Sequence, residues 1–338
     1  MQYKELVKKV ADRMIDENPI SSVMTIHEFD WVDGVGMYGL ARAAEKYGFG
    51  EYVDFMKNWV EKNKSKAYEI NTVNGTAAMI TILDLYADEN MELIKHVGEY
   101  IINDAERTDN GALEHTVCDP RHTFRQQMWA DTLFMSCIFL AKLGKKLGEK
   151  KYTDECIKQL LIHHKYLKDK ETGLFCHGYS CITKDNMSAI NWARANAWIT
   201  ASTVEMLEIL PDDFEGRDEI LKSLNEQVEG YSKFITENGM LTTIINDPTS
   251  YEETSATAGM AYGVARGIKA GFIDKKYESL WKKAAEGVIS KIDEDGIVRG
   301  VSSGTPVMPT ANGYKCIKIE PILYGQALTV LMLCEIDD

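Results

Sequence analysis

Short glycine-containing turns recur along the chain at intervals of about 60 residues, and this repeat constrains the fold more than any other feature. Each turn has two polar residues, a glycine and two apolar residues, and the glycines are Gly111, Gly173, Gly239 and Gly296. This pattern suits a turn whose glycine has positive φ, followed by a short extended segment. A repeat of this length is typical of a fold that adds one pair of helices per period.

Two kinds of helical segment alternate between these turns. Segments of the first kind are amphipathic with a charged face, and they cover roughly residues 3–16, 51–63, 90–105, 151–168, 217–235 and 277–291. Segments of the second kind are richer in Ala, Ser, Thr, Gly and Met, and they cover roughly residues 35–47, 75–87, 125–147, 192–209, 254–270 and 324–335. Charged faces predict helices that face water, whereas small and apolar residues on all sides predict helices that are packed all round.

Six segments of each kind predict an all-α fold, an (α/α)6 barrel of six inner and six outer helices with short β-turn segments in the connections. We expect a single domain over residues 1–338. The alternative is an open helical solenoid, which needs polar capping repeats at its ends. The last inner segment stays apolar almost to its end, which favours a closed ring.

Composition excludes several classes of partner. The chain has 38 Lys and Arg against 52 Asp and Glu, a net charge of −14, and nucleic-acid binding needs clustered cations instead. The longest apolar stretch, 132–141, is about half the length of a membrane span of about 20 residues. We therefore expect neither a nucleic-acid nor a membrane partner.

The cysteines and the N-terminal residues indicate the cellular compartment, and the cysteines also indicate whether a metal site is expected. The 7 Cys are scattered without a Cys-x-x-Cys motif, so we expect no disulfide framework, no metal site and no cofactor. Residues 1–14 are charged throughout and lack the apolar core of a signal peptide. Together these features predict a reducing, cytoplasmic setting.

Polar and aromatic side chains cluster where the inner helices are expected to begin. Because all inner helices of such a barrel run in the same direction, their N-termini meet at one mouth. The candidates there are Trp31, Asn74, His122, Trp129, Asp131, His177, Trp192, Arg194 and Trp198. Aromatic rings stack on the C–H faces of a sugar and polar groups bind its hydroxyls, so the mouth is predicted to bind a carbohydrate. Helix N-termini and Arg194 also favour an anionic group there.

Asp131 is the candidate acid. It lies between Trp129 and a Leu-Phe-Met stretch, where burial is expected to raise its pKa and keep it protonated near neutral pH, as a general acid requires. A helix cap or a salt bridge explains such an Asp equally well, and Arg194 also fits a structural ion pair.

Four stretches of sequence resemble glycoside hydrolase family 105. They are residues 121–135, with the pattern W-x-D-x-L-F-M, residues 192–198, with W-A-R-x-N-x-W and leading to Leu210-Pro211, residues 251–257, and Asp295-Gly296 running on to residues 302–305. This family comprises unsaturated rhamnogalacturonyl hydrolases and is related to the unsaturated glucuronyl hydrolases of family 88. The resemblance implies an (α/α)6 barrel without a cofactor. Its implied substrate is a small lyase-generated oligosaccharide that ends in a Δ4,5-unsaturated uronic acid, here unsaturated galacturonyl linked to rhamnose.

The resemblance also implies roles for individual residues. Asp131 is expected to protonate C4 of the unsaturated sugar and, as a carboxylate, to activate the water that attacks C5. Trp129, Trp192, Arg194 and Trp198 are expected to line the uronate subsite, His122 and His177 to bind hydroxyls or the carboxylate, and Trp31 to stack on the sugar. Members of the family often have an Asp where this chain has Asn74, so we expect Asn74 to bind substrate only.

Three other functions remain open from the sequence. An ordinary inverting glycosidase would pair Asp131 with Glu252 or Glu253. A sugar epimerase would use His122 and His177 as a pair of bases. A non-catalytic carbohydrate-binding protein would need the aromatic rings alone. No recognisable motif encodes the preference between galacturonyl and glucuronyl groups, the identity of the sugar linked to the uronate, or the oligomeric state.

Overall fold

Inner and outer helices alternate along the chain in a computed structural model that describes residues 2–117 and 122–337. The helices are α1 (Lys4–Asp12), α2 (Trp31–Tyr47), α3 (Gly50–Tyr68), α4 (Met79–Glu99), α5 (Ile138–Leu147), α6 (Lys150–Leu167), α7 (Ala193–Leu207), α8 (Arg217–Phe234), α9 (Thr254–Lys269), α10 (Glu278–Ile289), α11 (Ala311–Lys315) and α12 (Leu323–Ile336). A 3-10 segment (Asn74–Ala78) precedes α4, and a π-helical segment (Leu133–Cys137) precedes α5. None of the helices within the described ranges is long and apolar enough to cross a membrane.

The inner helices form a closed ring. Helix α12 packs on α9 and also on α2, α9 packs on α7, and α7 packs on the π-helical segment before α5. That segment contacts the 3-10 segment before α4, which in turn packs on α2. The contact between α2 and α12 joins the first inner helix to the last. The predicted (α/α)6 ring is therefore confirmed, and the open solenoid is excluded.

The repeated glycine turns are confirmed and explain the regular spacing. The φ angles are 86° at Gly111, 79° at Gly173, 78° at Gly239 and 83° at Gly296, and residues that have a Cβ atom rarely adopt such angles. Gly296 packs so closely on α1 that a Cβ atom there would lie 2.6 Å from the carbonyl oxygen of Lys9. The last turn thus rests on the first outer helix, which closes the outer layer as well.

Three local predictions differ from the structure. The predicted inner segment 75–87 and outer segment 90–105 share one helix, α4, which bends through non-helical backbone at Tyr86 and Asn90. The third inner helix begins later than residue 125, because β3 (Gln127–Trp129) pairs antiparallel with β4 (Gly178–Ser180). A second pair, β1 (Thr116–Val117) with β2 (His122–Thr123), precedes it. Helix α11 has no counterpart in the predicted pattern.

A buried carboxylate ties three inner helices together at the end opposite the mouth. Glu205 of α7 accepts hydrogen bonds from Tyr38 of α2 and Tyr262 of α9, and Arg42 lies 3.2 Å from it. Burial by itself would raise the pKa of Glu205, but the charges of Arg42 and Arg266 and the two tyrosine hydroxyls lower it to about 2. Glu205 therefore stays ionised in the folded protein.

Replacing Glu205 by Gln is expected to destabilise the protein by about 3–5 kcal/mol at neutral pH, because Arg42 then loses its buried counter-charge. Since the pKa of Glu205 is about 2 in the folded protein against an ordinary 4.5, the carboxylate stabilises the fold above pH 4.5. That contribution is lost as the pH falls toward 2. Urea unfolding should therefore show that the difference in the free energy of unfolding between wild type and Glu205→Gln becomes smaller over this range.

Glu45→Gln, which removes an exposed partner of Arg42, is the control and should change stability by less than about 0.5 kcal/mol. A pH-independent difference would contradict the assignment.

Gly34 sets the distance between the first two inner helices. A Cβ atom at this position would lie 2.5 Å from the backbone nitrogen of Ala78. We expect Gly34→Ala to cost about 1–3 kcal/mol in thermal unfolding, because backbone must move to make room. Gly50→Ala, at the start of α3 where a Cβ would meet nothing within 4 Å, should be neutral or slightly stabilising. Equal stability of the two variants would show that the helices are not packed this closely.

Candidate active site

A cavity of about 410 Å³ lies at the mouth where the inner helices begin. Its wall combines aromatic rings, two carboxyl groups and one arginine. The lining residues are Asp30, Trp31, Asn74, His115, Val117, Phe124, Trp129, Asp131, Trp192, Arg194, Gly304, Thr305 and Pro306. The mixture of flat rings and polar groups matches the predicted carbohydrate site.

Helix starts and one strand pair place the central side chains. Trp31 is the first residue of α2, Asn74 is the first residue of the 3-10 segment, and Trp192 immediately precedes α7. Trp129 pairs with Gly178 across β3 and β4, and the backbone N–H of Ala130 donates to the carbonyl of His177. This pairing brings Asp131 next to His177, although 46 positions separate them in the sequence.

Asp131 and His177 form a close pair at the floor of the cavity. Asp131 Oδ2 lies 3.4 Å from His177 Nε2, and the Asp131 side chain is 13% exposed. The imidazole of His177 packs on the ring of Trp192, with centroids 4.1 Å apart, and on that of Trp129, at 5.2 Å. His115 stacks on the other side of Trp129 at 4.0 Å. The carboxyl group therefore sits among flat rings.

The pKa of Asp131 is the point at which the sequence-based expectation is wrong. Burial acts to raise it, as expected, but burial is outweighed by the hydrogen bond from His177 together with the positive charges of Arg194 and, when they are protonated, of His177 and His115. The pKa of Asp131 is consequently held below its ordinary value of 3.8, and the group is ionised in the empty site. Burial lowers the pKa of His177 and brings that of His115 to about 3, so both rings are neutral near pH 7.

Arg194 lines the cavity but is engaged by the protein. Its Nη1 donates to the carbonyl and hydroxyl oxygens of Ser302, and its Nη2 donates to the Ser303 carbonyl and the Thr305 hydroxyl. The guanidinium lies between the rings of Trp192 and Tyr324, and a Glu253 oxygen lies 3.4 Å away. Arg194 thus fixes the segment 302–305 that forms one wall and also supplies positive charge near Asp131.

Two buried polar atoms at the cavity wall, Asn74 Oδ1 and Trp192 Nε1, have no hydrogen-bond partner in the described part of the chain. Asp131 Oδ2 and His177 Nε2 have no partner there other than each other, at 3.4 Å. Buried polar atoms without partners are rare because they cost free energy. Their concentration at one cavity is what a site for a hydroxylated ligand requires, since hydroxyl groups both donate and accept.

Six of the nine predicted site residues line the cavity, and His177 supports it from behind. His122 does not, because it lies on the exposed strand β2. Trp198 does not either: it lies one helical turn below Arg194 in α7, is fully buried and packs on Phe134. The assignment of these two residues to the sugar is corrected accordingly. Arg121, the first residue of the 121–135 motif, lies outside the described residues.

Sequence reasoning missed several wall residues. His115 is the clearest case, and a signal for it existed: it follows Gly111 by four positions, as His177 follows Gly173. Val117, Phe124 and Pro306 carried no such signal, because strand pairing and the Arg194 contacts bring them to the cavity. Asp30 lies there as the N-cap of α2, next to Trp31. No cluster of His, Cys, Asp or Glu that could hold a metal ion occurs among residues 2–117 and 122–337.

Sequence comparisons agree with this picture over nearly the whole chain. The profile of Glycosyl Hydrolase Family 88 matches residues 6–337. The unsaturated rhamnogalacturonyl hydrolase YesR of Bacillus subtilis is 30% identical, and the alignment covers 98% of this chain and 95% of the relative. An unsaturated 3S-rhamnoglycuronyl hydrolase of Formosa agariphila is 23% identical, with 90% of this chain and 84% of the relative covered.

Solved structures share the fold. A possible member of family 105 from Salmonella enterica superposes with a TM-score of 0.91 at 30% identity, covering 98% of this chain and 92% of the other. The unsaturated glucuronyl hydrolase of Bacillus sp. GL1 gives a TM-score of 0.76 at 14% identity, with 99% and 95% covered, and supports the fold alone.

Proposed function

The chain belongs to glycosyl hydrolase family 88, and from this membership we propose that it removes a Δ4,5-unsaturated uronic acid from the non-reducing end of lyase-generated oligosaccharides. The preferred group is unsaturated galacturonyl linked to rhamnose, which the similarity to the rhamnogalacturonyl hydrolase of Bacillus subtilis supports. The observation that carries the proposal is the ring-lined carboxyl of Asp131 beside polar atoms that lack partners.

The chemistry requires a proton and a water molecule. The C4=C5 bond of the unsaturated sugar is an enol ether, and Asp131 donates its proton to C4, which leaves an oxocarbenium-like centre at C5. Water adds to C5 and gives its proton to the Asp131 carboxylate, which restores the acid. The resulting hemiketal opens, and the remaining sugar leaves as a free hydroxyl compound. A single carboxyl group thus replaces the two that ordinary glycosidases use.

Substrate binding raises the pKa of Asp131, which is ionised in the empty site. Asp131 is ionised there because the His177 hydrogen bond and the charge of Arg194 favour the carboxylate. A bound uronate brings a negative charge next to Asp131 and excludes water, and both effects raise the pKa of a carboxyl group. Protonated Asp131 is therefore formed in the complex, where C4 is within reach.

The remaining wall residues bind and orient the sugar. Trp31, Trp129 and Trp192 offer rings for stacking, and the unpartnered Asn74 Oδ1 accepts a hydrogen bond from a sugar hydroxyl. Because Asn74 is neutral at every pH, it takes no part in proton transfer. Water activation therefore rests on Asp131.

The contacts of other side chains oppose the two alternative enzyme mechanisms. Glu252 is bound by Asn238 and Lys291, and Glu253 caps α9 through the backbone N–H of Ala256. Neither glutamate lines the cavity, so the inverting pairs predicted for Asp131 with Glu252 or Glu253 are not formed there. An epimerase that uses two histidines is opposed by the exposed position of His122 on β2.

The cysteines support a proposal for the cellular compartment in which the protein acts. Cys137, Cys156, Cys176, Cys181, Cys316 and Cys334 are all unpaired thiols in the described residues. Free thiols fit a reducing environment, so we propose action in the cytoplasm on fragments of pectin that lyases have shortened.

Loss of the enol-ether chromophore gives a direct assay. We expect the ultraviolet absorbance of lyase-generated rhamnogalacturonan fragments to fall on adding the enzyme, and to fall more slowly with unsaturated glucuronyl fragments. Asp131→Asn should lower kcat by at least about 10²-fold, since the amide has no proton to donate, while circular dichroism stays unchanged. Asp218→Asn, an exposed change at the start of α8, is the control. Unchanged turnover in Asp131→Asn would exclude this residue as the acid.

The pH dependence of the activity should show that catalysis requires a proton on the Asp131–His177 pair. Because the pKa of His177 lies below its ordinary 6.5 and that of Asp131 below 3.8, the free pair lacks this proton at neutral pH. We expect kcat/KM to fall as the pH rises, with a midpoint below 6.5. The midpoint for kcat should lie higher, because the bound uronate disfavours the carboxylate. An activity that increases toward alkaline pH would contradict the mechanism.

A further inference from the structure

Tyr314 lies directly behind His177, on the side away from Asp131. It belongs to the short helix α11 and is fully buried. Its hydroxyl oxygen is 2.9 Å from His177 Nδ1, and its ring centroid is 5.9 Å from that of His177. The three side chains therefore form a line in which His177 separates a phenol from a carboxyl group.

The other partners of Tyr314 decide where the protons are. The backbone N–H of Met308 and the hydroxyl of Ser188 lower the pKa of Tyr314, which is the effect of donor groups directed at its oxygen. A phenol whose oxygen faces donor groups directs its own hydrogen at an acceptor, and His177 Nδ1, 2.9 Å away, is the acceptor within hydrogen-bond distance. Burial keeps Tyr314 in the phenol form, which retains this hydrogen.

A neutral imidazole carries one N–H, so its position follows from this contact. If Nδ1 accepts from Tyr314, the proton of His177 is on Nε2, the atom that lies 3.4 Å from Asp131 Oδ2. The opposite tautomer would turn the Nε2 lone pair toward the carboxylate. Asp131 would then have to direct its proton at His177 rather than at the sugar.

We propose that Tyr314 is a positioning residue for the hydrolysis, which holds His177 in the Nε2–H tautomer so that the imidazole donates to Asp131 and leaves the acid proton for substrate. This inference rests on the proposed function for its kinetic consequence only. The tautomer itself is a property of the unliganded protein.

Other charged or titratable groups around the pair do not replace this contact. Arg194 acts on the pair through its charge, whereas His115, which is neutral near pH 7, stacks on Trp129, and the Cys176 thiol is uncharged because burial raises its pKa. Among the described hydrogen bonds, the one from Tyr314 is the contact made to His177 Nδ1.

Nitrogen-15 NMR of the unliganded protein tests the proposal without any substrate. Two-bond correlations distinguish the two tautomers, and the His177 signals are identified by their loss in His177→Gln. Near neutral pH we expect a protonated Nε2 and an unprotonated Nδ1 in the wild type. A protonated Nδ1 in the wild type would overturn the proposal, whatever the enzymatic activity proves to be.

The variant Tyr314→Phe removes the hydroxyl and keeps the ring. We expect the His177 signals to shift toward the Nδ1–H tautomer, with kcat lowered by about 10-fold and KM changed by less than about 2-fold, a smaller loss than that of the acid itself. Tyr231→Phe is the matched control, because it deletes a buried tyrosine hydroxyl of the outer helix α8, which contacts Thr200 of α7 and not the Asp131–His177 pair. It should leave the tautomer and kcat unchanged. An unaltered His177 tautomer in Tyr314→Phe would refute the role assigned to this tyrosine.

Discussion

The close contact of three turn glycines, Gly173, Gly239 and Gly296, with the backbone of an outer helix is the constraint on which the rest of the structure depends. A Cβ atom would lie 2.5 Å from the Glu226 carbonyl oxygen at Gly173, 2.2 Å from that of Lys283 at Gly239 and 2.6 Å from that of Lys9 at Gly296. A side chain at any of these positions would push the turn away from its outer helix. Because the contact of Gly296 returns to α1, the same interaction that spaces the repeats also closes the ring.

The turns also place the active-site residues. Two positions after each glycine, a backbone N–H donates to a buried side chain of the inner or outer layer; the pairs are Leu113 with Gln159, Phe175 with Asn196, Leu241 with Thr257 and Val298 with Gln326. Two residues further on, the first two repeats present His115 and His177 at the cavity. The histidines on both sides of Trp129 therefore occupy equivalent positions of consecutive repeats.

These regularities explain how much the sequence predicts. Some features are visible without coordinates because they repeat along the chain or lie close together in it. They are the alternating helices, the glycine turns, and the Trp129–Asp131 and Trp192–Arg194 motifs. The late start of the third inner helix depends on the pairing of Trp129 with Gly178, which no local pattern encodes. Trp198 was misplaced for a related reason, since a motif gives spacing along a helix but not the depth at which the cavity ends.

The ionisation of Asp131 shows why burial alone is an incomplete guide to an acid. The aromatic surroundings were visible in the sequence, and they act on the pKa in the expected direction, yet the His177 contact reverses the outcome. In the mechanism that we propose, the carboxylate is stable in the empty cavity and is protonated when an anionic sugar displaces water, which ties acid strength to the correct ligand. The same arrangement makes the imidazole tautomer decisive, because a single misplaced hydrogen on His177 would redirect the proton of Asp131 away from C4.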